Sequence, residues 1–152
     1  MYMKQHNVLC DIDHTISDAF WRDELIGGEG GWDAYHSASI NDLPLHEMVV
    51  MINALRVSGM YIVGLTARPE KWRKLTMDWM LRHGVQFDEL LMRPDDNFQK
   101  AAELKMTIAR ERFPALADEV AFLIEDQEDI IAAFKAINIT CLQVHGISKG
   151  VR

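Results

Sequence analysis

The chain of 152 residues holds only two cysteines, Cys10 and Cys141. They lie far apart in apolar runs, and no C-x-x-C occurs. That excludes a disulfide-stapled mini-protein and leaves a zinc or redox motif unsupported. Buried, reduced thiols in a cytoplasmic protein are the expectation. No apolar stretch reaches the length of a membrane span, so no membrane partner is expected. The first seven residues lack a basic stretch followed by a long apolar core, and no secretory leader is expected. No G-x-x-x-x-G-K-[ST] occurs, so this chain carries no P-loop kinase domain. No internal repeat is found. Positive charge is in deficit, with 16 Lys and Arg against 23 Asp and Glu and a formal charge of −7. That balance disfavours broad, sequence-blind adhesion to nucleic acid or anionic membrane, and leaves room for a local basic patch.

Apolar residues make up 49% of the chain and charged residues 26%, as in ordinary globular proteins. The length suits one domain over residues 1–152. Short apolar runs alternate with longer amphipathic stretches. The runs are Val8-Leu9-Cys10, Tyr61 to Leu65, Glu89 to Met92, Val120 to Ile124 and Ile139 to Val144. Most show no polar alternation, as strands covered on both faces do. The amphipathic stretches fall at roughly 43–58, 70–83, 98–113 and 128–137. Pro44 and Pro69 suit helix starts, and Gly59 and Gly84 suit helix ends. The alternation predicts an α/β fold, a parallel sheet with right-handed crossover helices. Residues 14–39 break the pattern. They contain Gly27-Gly28-Glu29-Gly30-Gly31 among Trp21, Trp32 and Tyr35. This reads either as a mobile flap with aromatic edges or as a surface loop whose rings cover the core.

The residues that end the runs carry the chemistry. The first run closes in Asp11-Ile12-Asp13-His14-Thr15, the second in Thr66-Ala67-Arg68, and the fourth in Glu125-Asp126-Gln127-Glu128-Asp129. Ligands of open parallel sheets bind beyond the carboxyl ends of the strands. Three strands therefore deliver Asp11, Asp13, Thr66, Glu125 and Asp126 to one rim. Crowded carboxylates repel one another unless a counter-charge intervenes, and Mg²⁺ is the usual one beside phosphate. Thr66 and Arg68 precede Pro69 and a helix, whose free N–H groups suit an anion. Lys105, with Lys100 as its rival, stands on a helix starting at the same rim, where an ammonium can neutralise Asp11 and hold a phosphoryl oxygen.

With these residues in place, the chain resembles the haloacid dehalogenase superfamily of phosphohydrolases. Asp11-Ile12-Asp13-His14-Thr15 matches its D-x-D-x-T, followed in order by Thr66, a helical Lys and an acidic motif after the fourth strand. More narrowly, it resembles the 3′-phosphatase domain of phage-type polynucleotide kinase. Trp32-Asp33-Ala34-Tyr35, Leu43-Pro44, Leu65 to Glu70 and Phe87 to Pro94 carry that likeness. The resemblance implies a Rossmann-like three-layer α/β/α sandwich on a five-stranded parallel sheet, with a minimal cap limited to the 14–39 flap. It implies Asp11 as the nucleophile that forms an aspartyl-phosphate. It implies Asp13 as general acid and then base, its backbone carbonyl touching the metal. Thr66 and Lys105 become the groups that orient the phosphoryl oxygens. Asp126 becomes the acidic Mg²⁺ ligand with Glu125 beside it, where many relatives have Asp-Asp, and Asp129 is a lesser candidate. His14 occupies a spot often filled by Gly, as a pocket residue or a backbone spacer.

Without a large cap the site is expected to be open enough for the end of a polymer. Arg68, Lys71, Arg73, Lys74 and Arg93 are candidates to meet backbone phosphates, and Trp21 or Trp32 to stack on a base. The expected activity is Mg²⁺-dependent phosphomonoester hydrolysis, on nucleic-acid 3′-phosphate ends or nucleotides. Besides a binding protein with an inactive site, two other readings stand beside it. One is a phosphatase of small metabolites. The other is a receiver-like phosphoacceptor module, which places its phosphorylated Asp after the third strand, where this chain has Met92-Arg93-Pro94-Asp95-Asp96.

Overall fold

The computed structural model describes residues 6–146. Seven strands and six α-helices alternate along them. The strands are β1 (Asn7–Cys10), β2 (Ser17–Asp18), β3 (Leu43–Pro44), β4 (Tyr61–Pro69), β5 (Glu89–Arg93), β6 (Val120–Glu125) and β7 (Thr140–Gln143). The helices are α1 (Gly31–Ala38), α2 (His46–Val57), α3 (Arg73–Arg82), α4 (Ala101–Arg112), α5 (Leu116–Glu119) and α6 (Glu128–Lys135).

Five strands form one sheet in the order β5-β4-β1-β6-β7, and every pairing is parallel. The expected three-layer α/β/α sandwich is found. Leu9, Val63, Leu65 and Leu123 turn to one face and pack with Leu104 and Ile108 of α4 and Ile130 and Phe134 of α6. Val8, Cys10, Ile62 and Ile124 turn to the other and pack with Val49 and Ile52 of α2 and Trp79 and Met80 of α3. Because successive side chains of a strand point to opposite faces, covering both faces demands apolar residues at every position. β1 lies in the centre, so its carboxyl end opens between β4 and β6.

Residues 14–39 are not the loop the glycines suggest. They fold into β2, a 3-10 helix (Phe20–Gly27) and α1, with a further 3-10 turn at Ser39–Asn41. β2 pairs antiparallel with β3, which ties the two ends of the insertion together. Gly30 (φ 89°) and Gly31 (φ 48°) adopt the left-handed backbone that starts α1, a conformation other residues reach only at a cost. Gly30 and Gly31 therefore shape a helix start. A buried ion network holds the insertion. Asp42 accepts from Arg22 Nε (2.8 Å), Arg22 Nη2 (2.7 Å) and Trp21 Nε1 (3.0 Å). Its backbone carbonyl accepts from the fully buried Trp79 of α3 at 2.8 Å.

Candidate active site

Asp11 immediately follows β1 and is 5% exposed. Its backbone N–H donates to the Ile124 carbonyl at 3.0 Å, which extends the β1–β6 ladder by one residue and holds Asp11 beside the end of β6. Lys105, 2% exposed on α4, donates from Nζ to Asp11 Oδ1 (2.6 Å) and to Glu125 Oε2 (2.6 Å). Lys100, its rival, lies at the N-terminus of α4 and is exposed. The other oxygen of Glu125 accepts the backbone N–H groups of Asp126 (3.0 Å) and Gln127 (3.2 Å). Both Glu125 oxygens are thus engaged, and the residue is fully buried. Asp126 is half-buried and lines the cleft. Thr15 Oγ1 gives its proton to Asp11 Oδ2 at 2.8 Å and lies 3.3 Å from Asp126 Oδ1.

Oxygens of Asp11, Glu125 and Asp126 lie within 4.8 Å of one another. Three carboxylates against one ammonium leave two negative charges here when all are ionised. Burial and Glu125 push the Asp11 carboxyl up to about 6, against the pull of Lys105. Burial and Asp11 push Asp126 up to about 9. Burial alone would discharge Lys105, but Asp11 and Glu125 overcome it and hold the ammonium charged. Hard oxygen donors with two charges in excess fit a divalent cation such as Mg²⁺. Cys10, one residue before Asp11, donates its thiol proton to the Asp11 carbonyl at 3.2 Å. Burial, then Asp11 and Glu125, hold that thiol well above its ordinary value. Cys10 is buried and free as expected; Cys141 is free but only half-buried.

Asp13 lies outside this cluster of carboxylates. Its Oδ1 accepts from Arg22 Nη2 and from Arg68 Nη2 (2.6 Å), and its Oδ2 from Arg68 Nε (3.1 Å). Burial opposes ionisation, but Arg68 first and Arg22 next hold the carboxyl well below the usual carboxylate range. Arg68 is fully buried and also donates to Thr76 Oγ1 at 3.1 Å. Arg68 was expected at substrate phosphates; its guanidinium is instead consumed by Asp13 and Thr76, because a buried cation needs close anionic partners. Thr66 was expected beyond the end of its strand. β4 runs on to Pro69, and Thr66 sits fully buried within it, its Oγ1 accepting from Arg68 N at 3.2 Å.

His14 takes a left-handed backbone (φ 62°), the conformation that makes Gly common at such a spot. Its ring packs on Phe20 (centroids 4.3 Å apart), with Nε2 3.1 Å from Asp23 Oδ1. Arg93 donates to three carbonyls, Ala67 (2.9 Å), Asn97 (3.0 Å) and Gln99 (2.8 Å), so it braces the β5–α4 loop. Trp32 is 60% exposed on α1. A cleft of about 790 Å³ runs from Asp11, Asp13, Lys105 and Asp126 out to His14, Trp32 and Arg93. Thr15 and Arg22 are the site residues that residue-by-residue reading passed over. Thr15 closes the D-x-D-x-T motif itself and was within reach, whereas nothing local marks Arg22.

Central strands that end in acids, a buried lysine joining two of those acids, and a covered parallel sheet define a phosphatase of the haloacid dehalogenase type. The chain belongs to the family of the polynucleotide kinase (PNKP) phosphatase domain, whose model matches residues 5–147. A comparison with curated protein sequences gives no match. Among solved structures, a chain in the Pnkp1/Rnl/Hen1 RNA repair complex is similar at 22% identity and TM-score 0.78, over 93% of this chain and 42% of that one. A second Pnkp1/Rnl/Hen1 complex gives 22% identity and TM-score 0.77, over 96% of this chain and 48% of that one. The chain thus spans less than half the length of those relatives. A predicted phosphatase from Clostridium acetobutylicum is similar at 14% identity and TM-score 0.67, over 92% of this chain and 84% of that one. No described helix is long and apolar enough to cross a membrane.

Proposed function

We propose that this phosphatase removes phosphate from nucleic-acid 3′ ends or nucleotides through an aspartyl-phosphate on Asp11. The observation that carries the reading is the Asp11 carboxylate, buried, held at 2.6 Å by Lys105 and facing the cleft beside Asp126. Membership of the PNKP phosphatase family favours a nucleic-acid end over a small metabolite.

Asp11 Oδ2 attacks phosphorus, the bond to the leaving oxygen breaks, and the phosphoryl group stays on Asp11 until water releases it. Covalent capture divides one hard displacement into two easier ones. Lys105, ionised and fixed between Asp11 and Glu125, sets the carboxylate's orientation and offsets charge on the phosphoryl oxygens. Thr15 restrains the same carboxylate through its hydroxyl. Asp11 and Asp126, with Glu125 and the Asp13 carbonyl beside them, would hold Mg²⁺, which offsets repulsion between two anions and polarises the phosphoryl group. Asp13 is the acid and then the base for the water that hydrolyses the intermediate, but while both guanidiniums hold its carboxyl far below the usual range it is too weak a base to take a proton. In either role it must first give up at least one of those ion pairs; as the acid it also takes up a proton from water beforehand, passes it to the leaving oxygen and is left as the carboxylate that serves as base.

The test is release of phosphate from a 3′-phosphorylated oligonucleotide, a 5′-phosphorylated one and a set of sugar phosphates, with and without EDTA. The expected outcome is Mg²⁺-dependent release from the 3′ end. Asp11→Asn is expected to lower it at least about a thousandfold with an unchanged circular dichroism spectrum, since removing a nucleophile costs that order. Full turnover by Asp11→Asn would remove Asp11 as nucleophile. Equal or better rates on sugar phosphates would remove the nucleic-acid preference, and a single stoichiometric phosphorylation without release would favour a receiver-like module.

A further inference from the structure

We infer that the cleft holds the nucleic-acid end through the base of one unpaired terminal nucleotide, stacked on Trp32 and Phe98, rather than through backbone phosphates. This deepens the reading above and rests on it.

Apart from Lys100, which is exposed at the cleft, the cations that would follow a phosphate backbone already have partners. Arg68 is buried on Asp13, Lys71 pairs with Asp33 (2.6 Å), Arg73 with Glu70 (2.6 Å) and Lys74 with Asp78 (2.7 Å). Arg93 is spent on backbone carbonyls. Six aspartates line the cleft against four lysines and arginines. Even with a divalent cation bound, that lining offers no surplus of positive charge.

What the cleft does present is aromatic surface. Trp32 is 60% exposed and Phe98 90%, and both line it. Each is held on a fixed support. Trp32 stacks on His36 (centroids 5.8 Å, 24° between planes) and meets Tyr35 edge-on at 5.4 Å, with the Arg22 guanidinium 4.1 Å from the Tyr35 ring centre. Phe98 stands between Asn97 and Gln99. Those neighbours bond to each other (Gln99 N to Asn97 Oδ1, 2.9 Å; Asn97 Nδ2 to Gln99 Oε1, 3.0 Å), and Arg93 pins both of their carbonyls. An apolar ring held out into water on a braced loop gains little for folding but is ready to bind, because its position is already ordered. Nucleobases are the flat partners that such rings accept irrespective of sequence. A base must leave its duplex to stack there, so unpaired ends are preferred.

The experiment measures kcat/KM of the full chain on a single-stranded oligonucleotide with a 3′-phosphate and on the same strand with an abasic terminal nucleotide. The abasic end is expected to be about tenfold poorer. Trp32→Ala and Phe98→Ala should each cost about as much on the normal end and nothing on the abasic one. Phe98 is so exposed that its loss leaves folding intact. Raising salt from about 50 to 200 mM should lower kcat/KM less than tenfold, because few counterions are released. Equal rates on the two ends, variants that fall equally on both, or a salt loss beyond tenfold would overturn the inference while leaving the 3′-phosphatase standing. Turnover of sugar phosphates with none of either oligonucleotide would instead overturn the reading beneath it.

Discussion

Two ion networks meet at the floor of the cleft, and they are balanced differently. Asp13 and Asp42 face Arg22 and Arg68, two anions with two cations, and three of these four side chains are almost completely buried. Asp11, Glu125 and Asp126 share Lys105 alone. The first network is electrically complete and ties the insertion to the sheet. The second is incomplete by two charges; there burial first, and the neighbouring carboxylates next, raise the Asp11 and Asp126 carboxyls. A closed set of charges suits construction, and an open set suits a reactive, cation-binding centre.

The contrast can be broken at four points. Lys105→Met should abolish turnover and cost about 3–5 kcal/mol of stability in denaturant titrations, since it strands buried carboxylates. A loss below 1 kcal/mol would mean that Lys105 does not hold the open network together. Arg22→Ala should cost a similar but smaller amount, and a double-mutant cycle with Asp42→Ala should show strong coupling. Additive effects would dissolve the closed network as a unit. Mg²⁺ should raise the melting temperature of the wild type and lose that effect in Asp126→Asn, because a cation that binds only the folded state stabilises it by mass action. The same cation should stabilise Arg22→Lys as it does the wild type.

Acid provides the fourth and mildest test. Burial holds His36 down to about 4, so the folded state keeps it neutral while the unfolded chain protonates it near its ordinary value. His36 therefore takes stability away as pH drops from about 6.5 toward 4, with the unfolded state binding the extra proton, while the raised Asp11 and Asp126 carboxyls act in the opposite sense because they bind protons first in the folded state. Asp13, held down in the folded state, adds a loss in the same direction at lower pH. His36→Gln should remove the His36 share, so that the variant gains on the wild type as pH falls from about 6.5 toward 4, read from the difference in their melting temperatures across the range.

The open network was legible in the sequence because each of its parts ends a strand or starts a helix. An apolar run followed by an acid is a local pattern, and the topology rule for parallel sheets brings such ends together. Helix position brought Lys105 and Lys100 alike to the same rim, and only the likeness to the phosphatase family favoured Lys105. The closed network was not legible. Arg68 and Asp13 are 55 residues apart, and nothing near Arg68 announces that it turns inward. The insertion hid for a related reason. An 8-residue helix and a 3-10 helix are too short to display a periodicity, and they stand because Arg22 of one bonds to the Tyr35 carbonyl of the other and to Asp42 beyond both. The same blindness made the rim lysines and arginines look available when their partners had already claimed them.

The thiol next to the nucleophile has a practical consequence. Cys10 is sealed in the middle strand and keeps its proton, so it neither competes with Asp11 for phosphorus nor reacts with alkylating agents while the sheet is closed. In a Cys141→Ser background, iodoacetamide labelling becomes a clock for how often the centre of the molecule opens.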